Sequence, residues 1–106
     1  MPKSARIDLG THRGRTYFLY VESRPDWNKS EKFVATVYYK KLNLETLEEE
    51  KVEIARIDNM SHGFCHIDKL YKQGRPREKV NMTVYEAWDY LENNWKTFAT
   101  KHEENL

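Results

Sequence analysis

An apolar stripe near the end of the chain is the feature that most constrains the fold. Its members recur at intervals of three and four residues: Val84, Trp88, Leu91, Trp95 and Phe98. That spacing places them along one side of an α-helix. Thr83 followed by Glu86 is a capping box, which predicts where the helix begins. Because the stripe contains two tryptophans and a phenylalanine, we expect it to pack against the rest of the chain as core.

Alternating residues earlier in the chain predict β-strands. Within residues 15–24, Tyr17, Leu19 and Val21 fall on one side of an extended chain, and aromatic and β-branched residues favour strands. We predict an acidic hairpin loop at residues 45–50. The predicted strands are residues 15–24, 33–44, 51–58 and 64–71, with a fifth at 5–9.

These elements predict an α+β fold. It is an antiparallel β-meander of four to five strands, with one C-terminal α-helix packed on a face of the sheet. A length of 106 residues is typical of one domain, so residues 1–106 are predicted to form a single domain.

Composition excludes some classes of protein and leaves others open. The net charge of +1 gives no global preference for nucleic acid, although cations outnumber acids in residues 1–44 and 69–79. Cys65 is the only cysteine, which rules out an internal disulfide. No apolar run is long enough for a membrane span or a signal sequence. We therefore expect a cytoplasmic protein with no membrane partner.

A 13-residue segment, 56–68, concentrates the residues that carry chemistry. It holds two histidines, two aspartates, an arginine and the only cysteine. A regular five-residue loop between its two strands would place Arg56 opposite His66 and Glu53 opposite Lys69. Directly opposed residues of antiparallel strands point to the same face.

Strand alternation then divides the segment between two faces. One face would carry an apolar patch that the helix could cover: Ala55, Ile57, Cys65 and Ile67. The other would carry the polar residues, with His62 at the tip of the loop: Arg56, Asp58, His66 and Asp68.

Three chemistries fit this polar set. In the first, His66 moves protons, Asp58 or Asp68 orients it, and Arg56 holds a phosphate, as in a metal-independent nuclease. In the second, the histidines and aspartates, including His62, bind a metal. In the third, the residues form surface ion pairs that contribute little stability. We predict no bound metal and no cofactor, because an aromatic core should suffice to fold the domain.

Four arginines outside this set are candidates for contacts with a phosphate backbone, which are independent of sequence. They are Arg13, Arg15, Arg75 and Arg77. His12 lies beside the predicted turn at Arg13 and is interpreted as an exposed loop residue.

The run Ala55-Arg56-Ile57-Asp58-Asn59, then His62-Gly63, then His66, resembles the central segment of small TumE-like proteins of prokaryotic toxin–antitoxin systems. Those proteins are small α+β chains proposed to act as toxins. The resemblance implies a toxin that attacks RNA or translation and pairs with an antitoxin. The matching positions are Arg56, Asp58, His62 and His66.

The sequence therefore supports two functional hypotheses. The first is a small, toxin-like prokaryotic protein that acts on RNA as a metal-independent ribonuclease. The second is a non-enzymatic module or small structural protein that binds a protein partner through its sheet.

Overall fold

The chain folds as an antiparallel β-meander with one long helix. A computed structural model describes residues 3–60, 65–69 and 77–105. The strands are β1 (Lys3–His12), β2 (Arg15–Pro25), β3 (Ser30–Leu42), β4 (Glu49–Asp58), β5 (His66–Asp68) and β6 (Arg77–Lys79), and the helix is α1 (Val84–Glu104). The strands lie in the sheet in chain order, and each pairs antiparallel with the next. The predicted α+β class is confirmed.

The prediction of four to five strands is slightly low, because the sheet has six strands among the described residues. The fifth strand predicted at residues 5–9 is present and longer, as β1. The missed strand is β6, whose three residues Arg-Glu-Lys have neither apolar alternation nor β-branched side chains. It pairs with the equally short β5, and such pairing is not visible in either segment alone.

The two faces of the sheet carry different side chains. Alternate residues of β2, β3 and β4 face α1 and build the core with it, among them the fully buried Tyr17, Leu19, Ala35, Val37 and Ile57. The intervening residues point away from α1. We call this side the helix-free face. By strand pairing it includes Arg6, Phe18, Tyr20, Tyr38, Lys40, Lys51, Arg56, Asp58, His66 and Asp68.

A β-bulge in β4 decides which of its residues reach each face. Val37 pairs with Ala55, but the next residue of β3, Tyr38, pairs with Glu53, so Ile54 has no directly opposed partner. The extra residue shifts the alternation by one position. Odd-numbered residues before the bulge, and even-numbered residues after it, therefore lie on the helix-free face.

The helix begins at the predicted capping box. The Glu86 N–H donates to Thr83 Oγ1 over 3.2 Å, and the Thr83 N–H donates to Glu86 Oε1 over 3.0 Å. The predicted stripe is buried except at Trp88, which lies at its margin with its ring 5.8 Å from that of Trp27. Within the described ranges, no helix is long and apolar enough to cross a membrane.

Trp95 is the largest residue of the stripe that is buried, and it tests how much the stripe stabilises the fold. Its ring centroid lies 5.3 Å from that of Tyr17, and 6 % of the residue is exposed. We expect Trp95→Ala to lower the free energy of unfolding by about 3–5 kcal/mol, because the truncation removes apolar contacts and leaves a cavity. Urea denaturation of both proteins measures the difference.

Leu44→Ala is the matched control for this experiment, because Leu44 is 81 % exposed. We expect its effect to stay within about 0.5 kcal/mol. A loss below about 1 kcal/mol for Trp95→Ala would contradict the core assignment.

Candidate functional site

The four polar residues predicted to converge do lie on one face of the sheet. Asp58 pairs with His66, and Arg56 pairs with Asp68, so all four point to the helix-free face. We call Arg56, Asp58, His66 and Asp68 the hairpin cluster. The predicted apolar patch on the opposite face is also present, since Ala55, Ile57, Cys65 and Ile67 all belong to the core.

The pairing of β4 with β5 differs from the predicted register by two residues. The prediction placed Arg56 opposite His66, whereas Arg56 pairs with Asp68 and His66 with Asp58. β4 ends at Asp58, as predicted, but β5 begins at His66, two residues later than the predicted start at residue 64. The connection between the strands is therefore longer than a five-residue loop. A shift of two positions keeps every side chain on its predicted face.

The predicted pair of Glu53 and Lys69 is wrong for the same reason. The β4–β5 pairing runs only from Asp58 to Arg56, so Glu53 has no partner on β5. Lys69 Nζ lies instead 3.3 Å from Glu78 Oε1, on the other side of β5. Because the short β6 was not predicted, this alternative partner was not considered.

Arg56 and Asp58 form the ordered part of the hairpin cluster. Arg56 Nε donates to Asp58 Oδ2 over 2.8 Å, and the Met60 N–H donates to Asp58 Oδ1 over 3.2 Å. Both carboxylate oxygens of Asp58 are thus occupied. The contact fixes the plane of the guanidinium, and its two Nη groups donate no hydrogen bond to the described residues.

Three members of the cluster are buried, and the fourth, Arg56, is partly exposed. Asp58, His66 and Asp68 are 5 %, 4 % and 7 % exposed, whereas 36 % of the Arg56 side chain is accessible. Next to β5, Lys79 stands opposite His66 on β6. In this desolvated setting, charge interactions are stronger than in water. Arg56 is the member that a ligand in solution would meet first.

Cys65 packs in the core and does not join the cluster. It is buried, and burial raises the pKa of its thiol above the usual value near 9.0. A thiol with a raised pKa is a poor nucleophile near neutral pH.

The predicted phosphate-binding arginines of the β1–β2 turn are engaged within the protein. Arg13 and Gly14 form the turn with positive φ values of 51° and 81°. Arg13 Nη1 lies 3.1 Å from Glu103 Oε2, and Arg15 Nη1 lies 3.9 Å from Glu103 Oε1. The Arg15 guanidinium also sits 4.7 Å from the ring centroid of Tyr39. These contacts tie the turn to the end of α1 and partly neutralise both cations.

The other three predicted binding residues are His62, Arg75 and Arg77. His62 and Arg75 lie outside the described residues. Arg77 lies on β6 with its backbone paired to Asp68, and only its backbone is described.

Sequence reasoning missed a second polar cluster at the end of the helix. His102 Nε2 lies 3.0 Å from the Tyr39 hydroxyl, and His12 Nε2 lies 3.0 Å from Thr100 Oγ1. His102 follows Phe98 by four residues, so the apolar stripe extended by one step would have placed it against the sheet. For His12 no local signal existed, because its partner is 88 residues away.

Metal binding finds no support in the geometry of the described ranges. Within residues 3–60, 65–69 and 77–105, no three histidine, cysteine or acidic side chains are grouped in a way that could hold a metal ion. His62, one of the four candidate ligands, lies outside them.

The chain belongs to the family of the domain of unknown function DUF7718, whose model matches residues 5–106. No curated protein and no solved structure matches the chain. The family description assigns no activity, so a function has to be argued from the site.

His102 should make stability depend on pH in the slightly acidic range. Burial, and then the charge of Arg15, lower the pKa of His102 below its usual value near 6.5, while Glu103 acts in the opposite direction. The unfolded chain therefore takes up this proton before the folded protein does. Stability is highest above pH 6.5 and falls as the pH drops towards the lowered pKa of the folded state.

We expect chemical denaturation to show a smaller loss of stability between about pH 7.5 and 5.5 for His102→Gln than for the natural protein. Glu22 has a lowered pKa, through the hydrogen bond from Tyr20, but it titrates below its usual 4.5 and outside this range. Equal losses for the two proteins would contradict the assignment.

Proposed function

We propose that this protein binds RNA on its helix-free face and cleaves it without a metal, as a toxin-like ribonuclease. One observation carries the proposal. A guanidinium, an imidazole and two carboxylates from adjacent strands share one face, and three of these four groups are buried. Such concentrations of charged and polar groups are typical of functional sites.

Arg56 is the proposed phosphate-binding residue. Its Nε is held by Asp58, so the guanidinium is oriented before any ligand arrives. The two Nη groups, which donate no hydrogen bond to residues 3–60, 65–69 or 77–105, would donate to two oxygens of one phosphate, which is the bidentate geometry that arginine favours. The partial exposure of Arg56 gives RNA a route to these donors.

His66 is the proposed proton-transfer residue. Its imidazole would take the proton of a ribose 2′-hydroxyl as the 2′ oxygen forms a bond to phosphorus and the bond from phosphorus to the 5′ oxygen breaks. The leaving 5′ oxygen takes a proton from water, and the resulting hydroxide accepts the proton held by His66. The products are a 2′,3′-cyclic phosphate and a 5′-hydroxyl end.

The two aspartates have different proposed roles. Asp58 lies directly opposite His66, but its carboxylate oxygens accept hydrogen bonds from Arg56 and from a backbone amide. It therefore orients the arginine and adds a negative charge beside the imidazole. Asp68 lies two residues further along the strand on the same face and supplies a second negative charge.

The resemblance to TumE-like toxins supports the same proposal, since its matching positions include Arg56, Asp58 and His66. It adds a cytoplasmic, prokaryotic setting and an antitoxin as partner. The single cysteine fits a reducing compartment.

A second candidate function is a non-enzymatic interaction module. The observation that favours it is the β3–β4 turn, where Leu42, Leu44 and Leu47 are 51 %, 81 % and 75 % exposed. The turn is well ordered, since the Leu47 N–H donates to the Asn43 carbonyl over 2.7 Å. Exposed apolar groups held in a defined turn are typical of a protein contact.

RNA cleavage tests the first function against the second. We expect the natural protein to cleave a labelled single-stranded RNA in the presence of EDTA, with 2′,3′-cyclic phosphate ends visible on a denaturing gel. His66→Asn should slow cleavage by roughly 10²- to 10⁴-fold, because it removes the proton acceptor. Arg56→Lys should also slow cleavage, because it keeps the positive charge but loses the planar guanidinium that donates two hydrogen bonds to one phosphate.

Arg24→Lys is the matched control. Arg24 also lies on the helix-free face and bonds a carboxylate through Nε, at 2.7 Å from Glu22. We expect this variant to cleave like the natural protein. Thermal melts confirm folding of each variant. No cleavage by the natural protein, or equal rates for it and a folded His66→Asn, would refute the enzyme proposal.

A further inference from the structure

A second group of residues on the helix-free face combines aromatic rings with cations. Phe18 and Tyr38 are cross-strand neighbours whose rings stack, with centroids 5.5 Å apart and planes inclined by 28°. Arg6 Cζ and Lys40 Nζ lie 5.3 and 5.9 Å from the centroid of Phe18. Lys51 Nζ lies 4.9 Å from the centroid of Tyr38. We call these five residues the cation–aromatic patch.

Only one of the three cations of the patch is in an ion pair with a described residue. Among the described residues, Arg6 and Lys51 form no ion pair. Each lies instead over the face of one of the two aromatic rings of the patch. Lys40 lies 3.8 Å from Glu49. Two more carboxylates flank the rings in the same cross-strand row, Asp8 opposite Phe18 and Glu53 opposite Tyr38, and Asp8 accepts a backbone N–H of β1 over 3.0 Å. All three cations of the patch are exposed.

We propose that the cation–aromatic patch binds a single-stranded segment of RNA. Phe18 is partly exposed, so a base displacing a flexible cation would stack on its ring, while the buried Tyr38 backs it. The displaced cations would pair with the neighbouring phosphates. Stacking combined with cationic contacts is how single strands are bound without reading their sequence.

The patch is placed to serve the hairpin cluster. One cross-strand row runs from Arg6 through Tyr20 and Thr36 to Arg56 on the same face. Strand spacing and residue rise put Phe18 about 12 Å from Arg56. A short RNA strand would therefore span both groups. This inference rests on the proposed function, since it assigns how the substrate of that site is held.

The test uses a fluorescein-labelled, 2′-O-methyl oligouridylate of about ten nucleotides. A methylated 2′ oxygen cannot attack phosphorus, so binding is measured without cleavage. Fluorescence anisotropy gives the affinity at salt concentrations between about 50 and 200 mM. A blunt duplex and a polyglutamate of similar charge serve as competitors.

The variants separate this patch from general surface charge. Arg6→Ala with Lys51→Ala removes two cations from the patch, and Phe18→Leu removes the stacking ring. Lys3→Ala with Lys41→Ala is the matched control, because it removes two exposed cations from β1 and β3 that point to the opposite face.

We expect the double patch variant to bind at least tenfold more weakly and to show a salt slope shallower by about 1.4, for two lost phosphate contacts. Phe18→Leu should weaken binding without changing the slope. The control should bind like the natural protein, and neither competitor should match an unlabelled single strand.

The proposal is overturned by any of three results. They are no binding by the natural protein at about 50 mM salt, equal losses for patch and control variants, or equal competition by duplex or polyglutamate. Binding through the patch with no cleavage of ordinary RNA would support the patch and refute the catalytic role of His66. Cleavage that is unaffected by the patch variants would support the catalytic role of His66 and refute the role of the patch in holding RNA.

Discussion

The packing of α1 on only one face of the sheet is the interaction on which the rest of the structure depends. Leu91, Trp95 and Phe98 cover the apolar residues of β2, β3 and β4, and the sheet needs no second apolar layer to hold its core. The helix-free face is thereby released from the requirement to be hydrophobic. It carries aromatic, cationic and acidic side chains in cross-strand rows, and both the hairpin cluster and the cation–aromatic patch lie on it.

The bulge at Ile54 is the detail that makes this division possible in β4. Before it, odd-numbered residues face away from the helix; after it, even-numbered residues do. Without the extra residue, one half of β4 would be inverted. Either Arg56 and Asp58 would be driven against the aromatic core, where unpaired charges are costly, or Lys51 and Glu53 would be. A single inserted residue thus keeps both the cation–aromatic patch and the hairpin cluster on the same face.

The sequence alone was sufficient to predict the structure where the interactions that determine it are local. The capping box placed the start of α1, the stripe identified its buried side, and strand alternation put the hairpin cluster on one face. It failed where pairing is between distant or short segments. The register of β4 with β5 and the existence of β6 depend on contacts that neither strand specifies alone. The cation–aromatic patch was not predicted for the same reason, since Arg6, Phe18 and Lys51 come together only when β1 to β4 are aligned. The position of His102 against the sheet could have been predicted, because His102 continues the periodicity of the stripe.

Stability alone does not explain the charged and polar groups of the hairpin cluster. The ion pair of Arg56 with Asp58 is partly exposed, and such pairs contribute about 0–1 kcal/mol. Burying charged and polar groups beside it costs free energy, and apolar replacements of buried ionic groups are often neutral or stabilising. Stability alone would therefore favour apolar residues at these positions, as on the opposite face. Under the proposed function, a pre-oriented guanidinium next to a buried imidazole and two carboxylates would offset this cost by binding a phosphate. The cations around Phe18 lie about 12 Å away on the same face, where they would contact the neighbouring phosphates of the proposed RNA single strand.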